Sequence, residues 1–384
     1  MRPLLIDASR LVGRLARGRL PTGIDRVCLA YVEHFGERAQ AVLQWRGLRR
    51  IAPYASSQRL FELLLRGGPA LAAGLPRLLA SFAMPAPVRD GGRAVYLNVG
   101  HTGLDAPGLA EWLQSIEARA VYMVHDLIPL THPEYCRPGE DVRHARRMET
   151  VLRTAAAVIA NSEATLAELG HFAAARGLGM PPGVAAALAP APLEGLPAAA
   201  SPLPQPYFVA VGTIEPRKNH WMLLHVWREL VERLGAAAPQ LVVVGQRGWE
   251  CENVVDLLER CRQLRGVVHE VPACDDAALA GYVRHARALL FPSFAEGFGL
   301  PLVEALALGT PVVASDLAAF REVALDVPDF LQPLDGNAWA QAVLDYAGED
   351  HPRRQQQLRR LGSFRAPDWP GHFARVDTLL EQLP

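Results

Sequence analysis

Glu296-Gly297-Phe298-Gly299-Leu300-Pro301-Leu302-Val303-Glu304, joined to the apolar run Ala288–Phe291 by Pro292-Ser293-Phe294-Ala295, decides the fold. Seven residues separate its two glutamates. The pattern predicts a strand, a glycine turn and a helix that opens at a proline. Gly297 and Gly299 allow close approach of the backbone to a ligand, Pro301 suits the first helical turn, and the N–H groups of that turn then face an anion. A carboxylate does not welcome a diphosphate, so Glu296 and Glu304 are expected to accept hydrogen bonds from hydroxyl groups. The cation has to come from elsewhere, and the ligand carries both phosphates and sugars.

The cation is expected from Gly212-Thr213-Ile214-Glu215-Pro216-Arg217-Lys218-Asn219, which follows the apolar run Tyr207–Val211 and precedes a helical pattern. A guanidinium and an ammonium at that junction can neutralise a diphosphate, including the charge that develops as it leaves. The two motifs, followed by Gly309-Thr310-Pro311-Val312-Val313-Ala314-Ser315, resemble the nucleotide-sugar half of the retaining GT-B glycosyltransferases of family GT4. That resemblance covers residues 207–323. It implies an α/β chain of GT-B type: two facing Rossmann-like domains, a central cleft, and a C-terminal helix that crosses back onto the first domain.

Composition agrees with two domains: the chain has 384 residues, of which 50% are hydrophobic. A formal charge of −1 gives no global attraction to nucleic acid, and no nucleic-acid partner is expected. Cys28, Cys136, Cys251, Cys261 and Cys274 are scattered and odd in number, which argues against a disulfide framework or a zinc ribbon. An acidic residue, Asp7, interrupts the start before a signal-peptide core forms, and no uncharged apolar run approaches spanning length, so a cytoplasmic location is expected.

Short apolar runs alternate with helical patterns in two series, the mark of parallel sheets covered by helices. The first series comprises Leu4–Asp7, Val42–Trp45, Ala94–Asn98, Ala120–Val124 and Ala157–Ala160. The second comprises Tyr207–Val211, Leu241–Val244, Val267–Val271, Ala288–Phe291 and Val312–Ala314. The proline-rich, nearly uncharged stretch between them reads as a linker. The expected division is an acceptor-binding domain over 1–195 with helix 366–384 packing back on it, a linker over 196–206, and a donor-binding domain over 207–365.

In the first domain, Thr22-Gly23-Ile24 opens a helix, and Gly23 resembles the GT4 loop near the donor phosphates or acceptor. His125 and Asp126 abruptly follow a buried-strand pattern at its carboxyl end. His125 resembles the GT4 histidine that touches the donor sugar near the reacting carbon, with Asp126 orienting its ring or binding an acceptor hydroxyl. Ser162, after Ala160-Asn161, reads as a helix N-cap. Between Trp45 and Arg93 the chain is locally basic: Arg46, Arg49, Arg50, Arg59, Arg66, Arg77, Arg89 and Arg93 stand against Glu62 and Asp90. Residues 59–66 and 75–79 read either as peripheral contacts with an anionic membrane or as core helices carrying salt-bridged arginines. A second basic run holds Arg143, Arg146, Arg147 and Arg153.

No Asp-x-Asp, His-Glu-x-x-His or Walker A run is present, so neither a metal nor another cofactor is expected. The resemblance implies transfer of a hexose from a nucleotide sugar to a hydroxyl of a glycan or lipid-linked acceptor, with retention and with the leaving phosphate taking the proton. Catalytic positions are then Glu296, His125 and Asp126; diphosphate contacts are Arg217, Lys218, Gly23, Gly299 and Leu300. Glu296, Gly297, Phe298 and Glu304 hold the sugar and ribose, and main-chain atoms at Val271 and Pro272 read the base. The Thr-Gly-Ile loop and His-Asp-Leu-Ile-Pro look like bacterial mannosyl- and rhamnosyltransferases of surface-polysaccharide assembly, which favours GDP-mannose. Arg321-Glu322-Val323-Ala324-Leu325 departs from the Pro-Glu-Val and glycine of many relatives. A GT-B-like nucleotide-sugar epimerase or hydrolase, and a noncatalytic partner in polysaccharide assembly, remain as alternatives.

Overall fold

A computed structural model describes residues 2–15, 17, 23–67, 86–89, 93–193, 195–196, 200–204 and 206–383. Expectations for Leu20, Pro21, Thr22, Asp90, Arg77 and the stretch 75–79 therefore lie outside the described residues. The chain divides into two compact units. Unit 1 comprises Met1–Thr131, Pro138–Leu188 and Trp369–Pro384; unit 2 comprises His132–Arg137 and Ala189–Asp368. The break thus falls after Leu188 rather than after residue 195, and the proline-rich stretch from Ala189 counts with unit 2.

Unit 1 is built on β1 (Leu4–Asp7), β2 (Ala39–Trp45), β3 (Leu48–Ile51), β4 (Val95–Asn98), β5 (Arg119–Val124), β6 (Ala155–Ala160) and β7 (Gly183–Ala185), in the order β3-β2-β1-β4-β5-β6-β7. Every pairing is parallel except β2 with β3, a hairpin whose turn residues Arg46 and Gly47 both have positive φ. That hairpin is absent from the sequence reading.

Unit 2 holds β8 (Tyr207–Val211), β9 (Gln240–Val244), β10 (Val268–Val271), β11 (Leu289–Phe291), β12 (Val312–Ser315) and β13 (Asp329–Leu331). Its order is β10-β9-β8-β11-β12-β13, all parallel. This is the doubly wound order in which direction reverses at the first strand, so the crevice lies where β8 and β11 end. The apolar run Leu241-Val242-Val243-Val244 is buried, as a strand covered by helices on both sheet faces requires. Helix His220–Leu234 presents Leu223, Val226, Trp227 and Leu230 to that core, and Trp227 Nε1 donates to Pro239 O at 2.8 Å.

The final helix, Trp369–Glu381, packs within unit 1. Phe373 stacks on His34 with ring centroids 3.9 Å apart and meets Tyr31 edge-on at 5.1 Å. Burying a phenylalanine this way contributes about 1.5–3 kcal/mol. His372 Nδ1 faces the carbonyls of Ala186 and Ala187, each at 3.1 Å, so Nδ1 carries the proton and Nε2 accepts from Tyr31 Oη at 2.9 Å. Burial pushes this imidazole down to about 4.

Two basic features have structural occupations. Helix Tyr54–Arg66 buries Ser57, Leu60, Phe61 and Leu64, so the apolar face of residues 59–66 lies in the core of unit 1. Arg143 Nε reaches Asp105 at 2.6 Å and Arg147 Nε lies 3.6 Å from the same carboxylate. Among the described residues, no helix is long and apolar enough to cross a membrane.

Candidate functional site

The corner after β11 leads through residues 292–299 into helix Leu300–Ala307. Gly299 has φ 100°, a left-handed conformation, and a Cβ there would lie 2.6 Å from Phe320 Cε1. The Phe320 ring stacks on Phe291 at 5.0 Å. Glycine at this position therefore answers to backbone conformation and packing, not only to ligand approach. Leu302 and Val303 turn their N–H groups back to Gly299 O at 3.0 and 3.3 Å, and Pro301 has none. Leu300 is the first residue of the helix, and its amide has no intrahelical acceptor.

β8 ends at Val211, and the loop that begins at Gly212 ends in the short turn Pro216–Lys218. Asn219, left-handed at φ 56°, donates through Nδ2 to Pro333 O at 2.8 Å and to Pro292 O at 3.3 Å, tying the loop to the corner. The result brings Arg217 and Lys218 directly onto Glu296. Arg217 Nη1 lies 2.7 Å from Glu296 Oε2 and Lys218 Nζ 2.5 Å from Oε1. Arg217 also donates to Ala295 O at 2.8 Å. Lys218 Nζ lies 4.7 Å from the centroid of the Phe291 ring, a cation–π contact.

Burial alone would raise the Glu296 carboxyl, but the charges of Arg217 and Lys218 and their hydrogen bonds hold it down to about 2. Burial pushes the Lys218 ammonium down, against the pull of Glu296. A second carboxylate joins them: Glu215 accepts from Arg217 Nε at 3.1 Å and Nη2 at 2.7 Å. Burial raises the Glu215 carboxyl against the attraction of Arg217 and Lys218. The two cations are thus counterbalanced by two acids. Glu215 was part of the motif in the sequence but received no role there; its position two residues before Arg217 was the available signal.

Other expected residues are placed differently. Phe298 is 5% exposed, so its ring belongs to the packing of unit 2 and only its main chain is open to a ligand role. Glu304 Oε1 accepts the Ala191 N–H at 3.3 Å, on the proline-rich stretch. Val271 ends β10, the edge strand, and its carbonyl accepts Gly245 N–H at 2.9 Å, so that oxygen already has a sheet partner. Pro272 is exposed. Tyr135 lies flat on Phe294, with ring centroids 4.9 Å apart, in the short piece of the first half of the sequence that counts with unit 2. Nothing in the sequence signalled that contact. Leu325 has φ 52° and is 70% exposed, a leucine in a conformation that favours glycine.

In unit 1, Gly23 is the first residue of helix Gly23–Phe35. Asp25, in its first turn, takes Arg10 Nε and Arg14 Nε at 2.7 Å each. His125 follows β5 and is 5% exposed; its Nε2 lies 2.7 Å from Val99 O. A carbonyl only accepts, so Nε2 carries the proton and Nδ1 is a bare acceptor. Burial lowers the His125 pKa, which keeps the ring neutral. The ring is oriented by Val99 O rather than by Asp126, whose Oδ1 accepts Ile128 N–H at 3.2 Å. Ser162 caps helix Glu163–Ala175 by accepting Thr165 N–H at 3.0 Å. Among the described residues, no group of three His, Cys, Asp or Glu side chains could hold a metal ion.

Comparison with known proteins matches residues 205–348 to the family model of glycosyl transferases group 1. The serotype-specific mannosyltransferase WbdA of Escherichia coli is 30% identical over 274 residues, 65% of this chain and 33% of WbdA, so the match spans about a third of that relative's length. The O-antigen chain mannosyltransferase B of Escherichia coli is 31% identical over 258 residues, 65% of this chain and 67% of the relative. The crystal structure of Anabaena HepE, solved with UDP and glucose, superposes with a TM-score of 0.69 at 16% identity, covering 100% of each chain, which establishes the GT-B fold. The chain belongs to the group 1 glycosyl transferases.

Proposed function

We propose that this chain transfers a hexose, mannose in preference, from a nucleotide sugar to a hydroxyl of a glycan or lipid-linked acceptor in bacterial surface-polysaccharide synthesis, with retention of anomeric configuration. The observation that carries this reading is the convergence of Arg217, Lys218 and Glu296 where β8 and β11 end, beside the opening of helix Leu300–Ala307. The mannosyltransferase names of the relatives favour mannose, and with it GDP as carrier.

The diphosphate engages Arg217, Lys218 and the amides at Gly299 and Leu300, and Gly23 is kept as a further proposed contact. Its arrival draws the cations from Glu296, whose freed carboxylate then accepts hydroxyls of the hexose together with the main chain of Gly297 and Phe298. Glu304 takes the ribose, and the loop at Val271 and Pro272 takes the base. His125 offers its bare Nδ1 to a sugar hydroxyl, and Asp126 lies beside it for the acceptor. The pair of cations replaces a metal in neutralising the leaving diphosphate.

The test is a panel of GDP-, UDP-, dTDP- and ADP-sugars, each with and without acceptor glycan and with EDTA. GDP-mannose is expected to give acceptor-dependent transfer that EDTA leaves intact, and to raise the melting temperature. A ligand at a hundredfold excess over Kd stabilises by about 2.7 kcal/mol. Epimer or free sugar formed without acceptor would establish the epimerase or hydrolase reading instead, and binding with no turnover would establish the noncatalytic one.

The proposal includes a cytoplasmic setting, consistent with five free cysteines. It also includes contact with an anionic membrane through the β2–β3 hairpin, where Trp45 is 69% and Leu48 50% exposed and Arg46 lies over the Trp45 ring. Sedimentation with phosphatidylglycerol vesicles that a Trp45→Ser, Leu48→Ser variant retained in full would remove that part.

A further inference from the structure

The carbonyl end of β5 is held by side chains from three other segments. His101 Nε2 lies 2.6 Å from Met123 O, Asn161 Nδ2 donates to His125 O at 2.8 Å, and His144 Nε2 lies 3.1 Å from Asp126 O. Each acceptor is a carbonyl, so each of these imidazoles carries its proton on Nε2, as His125 does towards Val99. The rings form a cluster: His101 lies 5.2 Å from His125 and 6.0 Å from His144 between centroids. His144 shares the buried face of helix Glu140–Thr154 with Met148, Val151 and Leu152. His101 has φ 59°, a left-handed backbone that histidine adopts only when its surroundings fix it.

We propose that His101 and His144 are positioning residues: they fix the main chain on both sides of His125, so that its imidazole stays bonded to Val99 O and presents Nδ1 to the donor sugar. The inference rests on the proposed function for the last step only; the positioning itself is a property of the free protein. Burial lowers the pKa of both positioning histidines, which favours the neutral, single-donor form that the geometry needs. A rigid support of this kind matters because misplacing a reacting contact by about 1 Å costs on the order of a hundredfold in rate.

The test compares His101→Gly, which removes the donor without straining a left-handed backbone, with His101→Gln, which restores an N–H of similar reach. His144→Leu and His144→Gln form the second pair. Two readouts are taken: turnover of the donor found by the panel, and the nitrogen NMR signature of the His125 ring in the free protein. The Gly and Leu variants are expected to lose about tenfold to a hundredfold in kcat with donor KM changed far less, and to lose the Nε2–H signature of His125. The Gln variants recover most of both. Unchanged kcat and signature in the Gly and Leu variants would overturn the proposal, as would Gln variants no better than they are. Should the deletion variants fail to fold, the Gln variants decide alone: near-native turnover and signature support positioning, and a tenfold loss overturns it. If no donor is turned over at all, the NMR arm still tests the positioning, so failure of the functional reading is seen separately.

Discussion

Replacing Glu296 with glutamine is expected to lower the stability of the free protein by about 3 kcal/mol, because it leaves two partly buried cations short of a counter-charge. Arg217 retains Glu215, whereas Lys218 loses the carboxylate that contacts its Nζ. A nucleoside diphosphate bound as proposed would supply the missing negative charge. Its thermal shift should therefore be larger on Glu296→Gln than on the native protein, even as turnover falls by about a hundredfold to a thousandfold. The same carboxylate sets an acid limb. Its folded pKa of about 2 lies below the ordinary 4.5, so its contribution is complete above pH 4.5 and is lost as pH falls through about 2. That contribution is about 3 kcal/mol, offset in part by the burial cost on Lys218. Melting curves between pH 2 and 5 should converge for native and variant protein as the pH falls. A variant that melts with the native protein at pH 7 and turns over normally would remove Glu296 from the site.

The prominence of Glu296 in the sequence and the obscurity of its partners have a common physical origin. Glycine, proline and paired acids at fixed spacing are unusual in a helix opening, so the corner was legible, as was the Arg217-Lys218 junction after an apolar strand. Glu215 was not, because its carboxylate faces back onto Arg217 through a turn whose geometry depends on Asn219 being held by Pro292 and Pro333. His144 reads as one polar residue on an otherwise apolar helical stripe, and only the tertiary fold shows that Asp126 O lies opposite it.

The long strands were legible by a different signal: β8 and, after Gln240, β9 are continuous apolar runs that a two-sided burial demands. The missed strands β3, β7 and β13 have four, three and three residues and carry arginine, glycine or aspartate. Arg49 shows why charge misleads there. It is 5% exposed, with Nε on Gln44 at 2.9 Å and Nη1 on Pro107 O at 3.1 Å, so a basic stretch that reads as surface contains an interior, hydrogen-bonded guanidinium.

Gly245→Ala should cost more in fold than any other single methyl group added to the donor loops. A Cβ at Gly245 would overlap the carbonyl oxygen of Gly212, a main-chain atom that no rotamer change can move. Three bonds hold the two loops at that distance: Gly212 N–H to Val244 O, Ile214 N–H to Gln246 O and Gly248 N–H to Ile214 O, each 2.9 Å. Relieving the overlap means parting the loops, at about 0.5–1.5 kcal/mol for each bond lost plus the cost of overpacking, or about 3 kcal/mol and more in total. The displaced loop continues directly into Glu215, Arg217 and Lys218, so whatever folded protein remains should bind donor more weakly, with KM raised more than kcat is lowered. Gly170→Ala supplies the contrast: it lies inside helix Glu163–Ala175 with no atom within 4 Å of its Cβ position, and should stabilise by up to about 1 kcal/mol. Equal melting temperatures and equal donor KM for the two variants would mean that the β8 and β9 loops are not stitched together, and the cation pair would then lack the rigid support that the proposed diphosphate binding requires.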